Sequence, residues 1–326
     1  MSITNFLSID VEDYFQVSAF ERVSPPSSWD LRELRVERNT DKVLALLDEV
    51  GTNATFFVLG WVAERCPCLV KRIATAGHEV ASHGYGHQRV TTQSRVEFRE
   101  DIQRSKAILE ELTGQEVIGY RAPSYSISRK TFWAFNELVE AGYRYDSSIF
   151  PIRHDFYGIP DWPRFAGWAV KSADGGWLAA SDREGVAQTL YEVPITTLKL
   201  AGKSLPIAGG GYFRFFPYVF TRWGLRNINS QEKQPFVFYL HPWELDPDQP
   251  RMAGAGWKSN LRHYLNLQKT EERFRKLLKE FAFAPLGCLL PAELRSIVST
   301  RRPRFPGSEQ LSVSHEGIQE VSSPVM

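Results

Sequence analysis

Four short polar clusters in this chain each follow directly on an apolar run of strand type. Asp10-Val-Glu12-Asp13 follows Phe6-Leu7-Ser8-Ile9, and His83-Gly-Tyr-Gly-His87 follows Glu79-Val80-Ala81. Arg121-Ala-Pro123 follows Val117 to Tyr120, and His241-Pro-Trp243-Glu244 follows Phe236 to Leu240. Between them lie helical stripes. Val43, Leu46, Leu47 and Val50 recur at the spacing of a helix on a core, with Thr40 or Asp41 as the expected cap and Gly51 as the stop. Further helices are expected from about Pro67 to Ala76, Ser94 to Leu112 and Ser128 to Ala141, with strands at Ala54 to Leu59, His78 to Ser82 and Tyr143 to Asp146. Such a βα rhythm demands parallel strands with helical crossovers, so the fold class is α/β. In repeated β/α folds the strand ends share one rim, where chemistry collects.

The rhythm breaks between about Phe150 and Gly211, where Pro, Gly and Trp are frequent and short strands are expected near Trp168, Trp177 and Glu192 to Ile195. That stretch reads as irregular β structure laid over the rim. Gly209-Gly210-Gly211-Tyr212-Phe213-Arg214 lacks the order of a phosphate loop and is not expected to open a helix; it suits a close backbone approach or a sharp turn. Helices are expected at Pro217 to Ile228, Leu261 to Leu265 and Thr270 to Phe281. The domain reading is a barrel over 1–250 with the insertion at about 150–215, a helical extension over 251–299 packed on it, and a disordered tail over 300–326.

The 39 basic and 38 acidic residues of the 326 leave a net charge of +1, which gives no electrostatic case for nucleic acid. No apolar stretch approaches the ~18 residues of a membrane-spanning helix. Strand residues begin almost at Met1, with no leader pattern before them, so a cytoplasmic location is the expectation. Cys66, Cys68 and Cys288 are odd in number and read as packing thiols.

The rim residues form the inventory of a metal hydrolase. His83 and His87 are spaced to reach one ion, and two histidines with one carboxylate leave positions for water and substrate. Three carboxylates within Asp10 to Asp13 repel one another unless a cation or an arginine lies among them. Arg121 is suited to hold one of them, and Asp146 to orient a catalytic histidine by the ring's second nitrogen. His241 is the candidate general acid. His78, His154, His263 and His315 have no comparable context.

In this order the motifs resemble the polysaccharide deacetylase family (carbohydrate esterase family 4, the NodB homology domain). Ser8 to Asp13 stands for its TFDDG motif, Ser82 to His87 contains its H[ST]xxH motif, Tyr120 to Tyr125 stands for RxPxG, and Tyr239-Leu240-His241 for LxxH. The stretches DVEDYF, SHGYGH, GGGYFR and HPWE look like the subgroup found with exosortase and exopolysaccharide gene clusters, which carries a C-terminal extension. The resemblance implies a distorted (β/α)7-type barrel and hydrolysis of N-acetyl groups from amino sugars, in exopolysaccharide or cell-envelope glycan biosynthesis. It implies a divalent metal, Zn2+ first, held by His83, His87 and either Glu12 or Asp13. Asp10 would be the base, Arg121 its holder, His241 the acid and Asp146 its orienting partner. A backbone N–H near Tyr125 would help stabilise the oxyanion. Tyr125, Tyr212 and Trp243, with Trp162 and Trp168, would meet sugar faces. The partner implied is an N-acetylated glycan, polymeric, lipid-linked or nucleotide-linked, with room for peripheral association with an inner-membrane polysaccharide assembly system. The altered first motif keeps open one rival, a hydrolase of cyclic amides or ureides without metal; a second, a non-catalytic glycan-binding barrel, would tolerate loss of the base or the acid, whereas Asp10, His83, His87, Arg121 and His241 are all present.

Overall fold

The computed structural model describes residues 3–154 and 157–299. Its first half alternates strand and helix: β1 (Thr4–Val11), α1 (Val36–Asp48), β2 (Thr55–Val58), α2 (Gly60–Arg65), α3 (Pro67–Thr75), β3 (Glu79–Ser82), α4 (Arg95–Thr113), β4 (Gly119–Tyr120), α5 (Trp133–Glu140) and β5 (Tyr145–Asp146). Then come β6 (Gly167–Lys171), β7 (Trp177–Ala180), β8 (Thr189–Glu192) and a separate antiparallel hairpin of β9 (Thr197–Leu200) and β10 (Lys203–Pro206). The chain continues through α6 (Gly210–Phe215), α7 (Tyr218–Asn227), β11 (Val237–Leu240), α8 (Trp257–Tyr264), α9 (Leu267–Glu280), β12 (Ala282–Ala284) and α10 (Ala292–Ser299).

Strands β11, β1, β2, β3, β4, β5 and β8 lie side by side in that order, every pair parallel. This is the strand set of a (β/α)7-type barrel. Strands β6 and β7 extend it antiparallel beyond β8. The stretch expected to lie over the rim therefore does more than that: its β8 is a barrel strand, paired with β5 through Tyr145 and Tyr191.

Side-chain alternation explains the nearly unbroken apolar runs. In β1, Leu7, Ile9 and Val11 face the core beneath the helices, while Phe6 joins a second core inside the barrel with Phe57, Ala81, Tyr145 and Tyr239. Ser8 and Asp10 share the Phe6 side by period two, so this strand aims its polar atoms inward and upward. Gly119 is needed because a Cβ there would lie 2.2 Å from the Tyr145 ring.

Local expectations moved in three places. Helix α1 begins at Val36, so Thr40 and Asp41 lie inside it; its first N–H groups are capped from 23 residues away. Helix α2, too short for a periodic signal, was not expected from the sequence. The triple glycine does open a helix, α6, and Gly209 (φ 130°) lies against β11, where a Cβ would fall 2.0 Å from the Tyr239 carbonyl oxygen. The close approach is thus to the protein's own strand.

Strand β12 returns the C-terminal segment to the barrel by pairing with the start of β1. The expected tail at 300–326 lies outside the described residues. Among those described, no helix is long and apolar enough to cross a membrane. Cys66 is buried, Cys68 and Cys288 are exposed, and all three are free.

Candidate active site

The four clusters converge on one cavity of about 230 Å³, lined by Asp10, Glu12, His83, His87, Tyr125 and His241 among others. At its floor, Glu12, His83 and His87 bring ligand atoms within 4.8 Å of one another. The His83 Nδ1 lies 2.8 Å from the Arg121 carbonyl oxygen. A carbonyl only accepts, so Nδ1 carries the hydrogen and the Nε2 lone pair is left free. Burial pushes the His83 imidazole down to about 4, which keeps it neutral.

Glu12 Oε2 lies 2.6 Å from His87 Nε2, yet makes no hydrogen bond of acceptable geometry and is buried without a partner. Two ligand atoms this close suit a shared cation. His87 also holds φ at 50°, a left-handed backbone that a β-carbon disfavours. Burial opposes ionisation of Glu12, but His87 and His241 hold its carboxyl well below the usual range.

Asp13 is placed elsewhere. Its Oδ2 accepts the backbone N–H groups of Arg35 (2.7 Å) and Val36 (2.9 Å), and its Oδ1 that of Tyr14 (2.8 Å). It caps α1 from a distance and takes no part in the Glu12–His83–His87 group, which corrects its candidacy as a ligand. The two-residue offset between Asp10 and Glu12 explains the choice: both side chains fall on the inner face of β1 and its continuation, whereas Asp13 turns toward the helix layer.

Arg121 is fully buried and donates from Nη1 to Asp10 Oδ1 (2.6 Å) and Ser8 Oγ (2.7 Å), and from Nε and Nη2 to the carbonyl and hydroxyl oxygens of Ser147 (3.1 and 2.9 Å). Its guanidinium carbon also lies 4.1 Å from the Phe57 ring centroid. Asp10 Oδ2 is left toward the cavity, 3.8 Å from His241 Nε2.

On the opposite wall, His241 Nδ1 donates to Glu244 Oε1 (2.8 Å), which also accepts the His241 backbone N–H (3.0 Å). Arg214 Nε donates to Glu244 Oε2 (2.6 Å). The same arginine's Nη1 donates to the carbonyls of Arg262, His263 and Leu265 at the end of α8. Burial lowers the basicity of His241, but the charges of Glu12, Glu244 and Asp10 outweigh it and raise the imidazole to about 9.

Asp146 therefore does not orient His241; Glu244 does. Asp146 accepts from the Ser148 hydroxyl (2.6 Å) and N–H (3.1 Å), and that hydroxyl in turn accepts the Ala122 N–H (2.7 Å), so Asp146 braces the segment after Arg121. It also faces Glu192 across the β5–β8 pairing. Burial pushes Asp146 up to about 6 and Glu192 well above its ordinary value, so the two carboxyls hold a proton between them.

The aromatic candidates divide. Tyr125 lines the cavity, with a buried hydroxyl that has no partner and φ at 54°. Its own N–H is spent on the Ala122 carbonyl, so it is not an oxyanion donor. Trp243 is sandwiched between His241 (5.2 Å between ring centroids) and His263 (4.2 Å), and its Nε1 donates to Glu12 Oε1 (3.1 Å). It holds the site together and has no free face for a sugar. Tyr212 packs beside Phe150, and Gly211 lines the cavity in its place. Trp162 and Trp168 are buried in the core, against Phe132 and Tyr191. His263, read from the sequence as lacking context, lines the cavity wall. Glu244 and Arg214 stand inside quoted motifs but had no role in the sequence reading; the i, i+3 spacing of His241 and Glu244 was their one available signal.

Residues 28–145 match the polysaccharide deacetylase family, and residues 147–290 match a domain of unknown function (DUF3473). The deacetylase match spans 118 of the 326 residues. The His83–His87 pair and Arg121 lie in the deacetylase-matched stretch, while His241, Glu244, Arg214 and Trp243 lie in the second matched stretch. A peptidoglycan deacetylase of Helicobacter pylori is 32% identical over 159 residues, 47% of this chain and 51% of that protein. The chain spans about half or less of the length of the curated relatives matched first. Among solved structures, a Mycobacterium smegmatis protein assigned to the polysaccharide deacetylases superposes with a TM-score of 0.52 at 17% identity, covering 95% of this chain and 99% of that one. The allantoinase Puue superposes with a TM-score of 0.50 at 14% identity, covering 86% and 85%. Both likenesses concern the fold alone.

Proposed function

We propose that this protein is a metal-dependent hydrolase that removes N-acetyl groups from amino sugars of a glycan or of its lipid- or nucleotide-linked precursor. The observation that carries this reading is the convergence of Glu12, His83 and His87 on one point, flanked by Asp10 on Arg121 and by His241 on Glu244. The donor set of two neutral imidazoles and one carboxylate fits a zinc-like divalent ion. When bound, such an ion supplies a Lewis acid that polarises an acetyl carbonyl and acidifies water beside it.

The rest is work for the chain's own residues. Asp10, oriented through Oδ1 by Arg121, accepts a proton from the attacking water at Oδ2. The water oxygen adds to the acetyl carbon. His241, with Nδ1 committed to Glu244, has Nε2 as its acidic position and gives that proton to the sugar nitrogen as the C–N bond breaks. Acetate and a free amine result. Arg121 serves only to aim Asp10, since its own proton does not leave.

The test is metal content by elemental analysis, with acetate release from β-1,4-linked N-acetylglucosamine oligomers measured with and without chelator. About one divalent ion per chain, and chelator-sensitive release lost in His83→Ala, is the expected result. Turnover of cyclic amides or ureides that ignores chelator would overturn it. The exopolysaccharide setting belongs to the same proposal and rests on the motif resemblance given above.

A further inference from the structure

One segment of the cavity rim carries charge of a single sign. Between Asp248 and Glu271 the chain has no carboxylate side chain, yet it holds Arg251, Lys258, Arg262 and Lys269. Among the described residues none of these four forms an ion pair. The Arg251 guanidinium lies 4.4 Å from the Tyr264 ring centroid, and the Lys258 ammonium 5.7 Å from that of Trp257. Helix α8 spans the middle of the segment. Trp257 and Leu261, one turn apart on it, are 72% and 56% exposed, and Lys258 and Arg262 form the next stripe round the helix. The helix is anchored through His263, which is buried between the rings of Trp243 (4.2 Å) and Phe20 (4.6 Å). Arg262 and His263 also line the active-site cavity, so the stripe stands at its mouth.

A helix fixed on one side, with an indole and a leucine on the other and unpaired cations beside them, has the make-up of a helix lying in a membrane interface. The indole suits the headgroup layer, the leucine the acyl boundary, and the cations anionic headgroups. The loop between β1 and α1 adds a third exposed apolar side chain. It packs on this segment through Phe20 and through Val23, whose Cγ1 is 3.4 Å from where a Gly254 Cβ would lie, and it leaves Leu31 87% exposed. A second copy of the chain is a poorer occupant, since a two-fold contact would set these cations against themselves. A soluble polyanion would satisfy the cations but give Leu31 and Leu261 nothing apolar to enter.

We propose that α8 and the adjoining loop dock on an anionic lipid surface. Trp257 and Leu261 enter the headgroup layer, and Arg251, Lys258 and Arg262 meet lipid phosphates. Docking there brings the mouth of the active-site cavity beside the bilayer. One consequence rests on the deacetylase reading above: of the substrate forms open to that reading, this surface favours the lipid-linked one. A glycan held at headgroup level reaches the cavity without leaving its anchor.

The test is sedimentation of the full chain with vesicles of phosphatidylcholine alone, and of phosphatidylcholine and phosphatidylglycerol in equal parts. The protein should bind the mixed vesicles, and added salt should weaken the binding. Trp257→Ser combined with Leu261→Ser should lower partitioning by roughly tenfold or more. Lys258→Gln should lower it roughly fivefold, on the mixed vesicles only. All three side chains are exposed, so melting temperatures should match the wild type's and acetate release from soluble N-acetylglucosamine oligomers should hold. From the same oligomer joined to a lipid in the mixed vesicles, the double variant should release acetate several-fold more slowly than the wild type. A wild type that stays in solution with both kinds of vesicle, or variants that bind as it does, overturns the docking. A dimer in solution that Trp257→Ser dissociates overturns it in favour of a second copy. Equal release by the two proteins from the lipid-borne oligomer overturns the substrate assignment. No acetate release from any of these sugars overturns the deacetylase reading, while bound vesicles would still uphold the docking.

Discussion

The two walls of the active site solve the same problem with different parts. On the β1 side, Asp10 is held by an arginine that is itself buried among strand ends, with Ser8 and Ser147 completing its bonds. On the β11 side, His241 is held by Glu244, and Glu244 by Arg214, whose remaining donors tie down the end of α8. The first wall is fastened to the sheet; the second is fastened to helices of the C-terminal third. A residue in the stretch matching a domain of unknown function is thus as close to the chemistry as one in the deacetylase-matched stretch. The boundary between the two matches crosses a single barrel, for β8 and β11 belong to the second and pair with β5 and β1 of the first part of the chain.

This contrast can be broken from either side. The largest effect is expected in Glu12→Gln against Asp13→Asn. The first should reduce bound metal to background by elemental analysis and abolish acetate release. The second should keep its metal but lose part of the three-fold acceptance of backbone N–H groups, lowering stability by roughly 1–3 kcal/mol in denaturant titration. Equal metal loss in both would erase the distinction between ligand and cap.

Next is Glu244→Gln, expected to lower kcat by roughly 10- to 100-fold, as loss of an orienting carboxylate beside a catalytic imidazole does. The Glu244 charge helps raise His241 to about 9, so the alkaline limb of the rate profile should move to lower pH in this variant. An unmoved limb with a lower plateau would point to misplacement of the ring alone.

The Asp146–Glu192 pair provides a stability test. Its folded-state proton affinity is raised, so the native protein keeps a proton that the unfolded chain has released. The pair's contribution is therefore full below about pH 4 and falls as pH rises, through about 6 for Asp146 and at higher pH for Glu192. In Glu192→Gln that loss should shrink by roughly 2–3 kcal/mol, read as the difference in unfolding free energy from wild type between pH 4 and pH 8. A difference constant across that range would show that no proton is shared.

The smallest effect belongs to Trp243→Phe. The stack between two imidazoles survives, while one donor to Glu12 is lost, for about 1 kcal/mol in metal affinity. Calorimetric titration of the metal into the two proteins measures it.

The strands and the residues at their ends were legible because their signal is local: an apolar run, then polar atoms at fixed offset. What Asp13 and Asp146 do was not legible, since each is decided by a partner brought near by folding, Val36 for the one and Ser148 and Glu192 for the other. Glu12 and Asp13 differ by one position, and only the direction in which the chain leaves β1 separates them. Glu244 was passed over for a related reason. Its role needs Arg214, thirty positions earlier in sequence and visible only once α6 has packed beside the turn after β11. The β8 strand was missed as a barrel member because the helical crossover that normally announces one is replaced by the antiparallel β6 and β7.

Strand β1 has neighbours β2, β11 and β12, and the last two begin more than 230 positions downstream. During synthesis it is made before the other strands of the sheet and can pair early only with β2. Its other edge stays bare until β11 and β12 have left the ribosome, a long wait for a sticky surface. The residue pair Asp10 and Glu12 is therefore made well before the barrel around it is assembled, and a ribosome stalled before β11 would hold a chain with all of Glu12, His83 and His87 and no closed barrel around them.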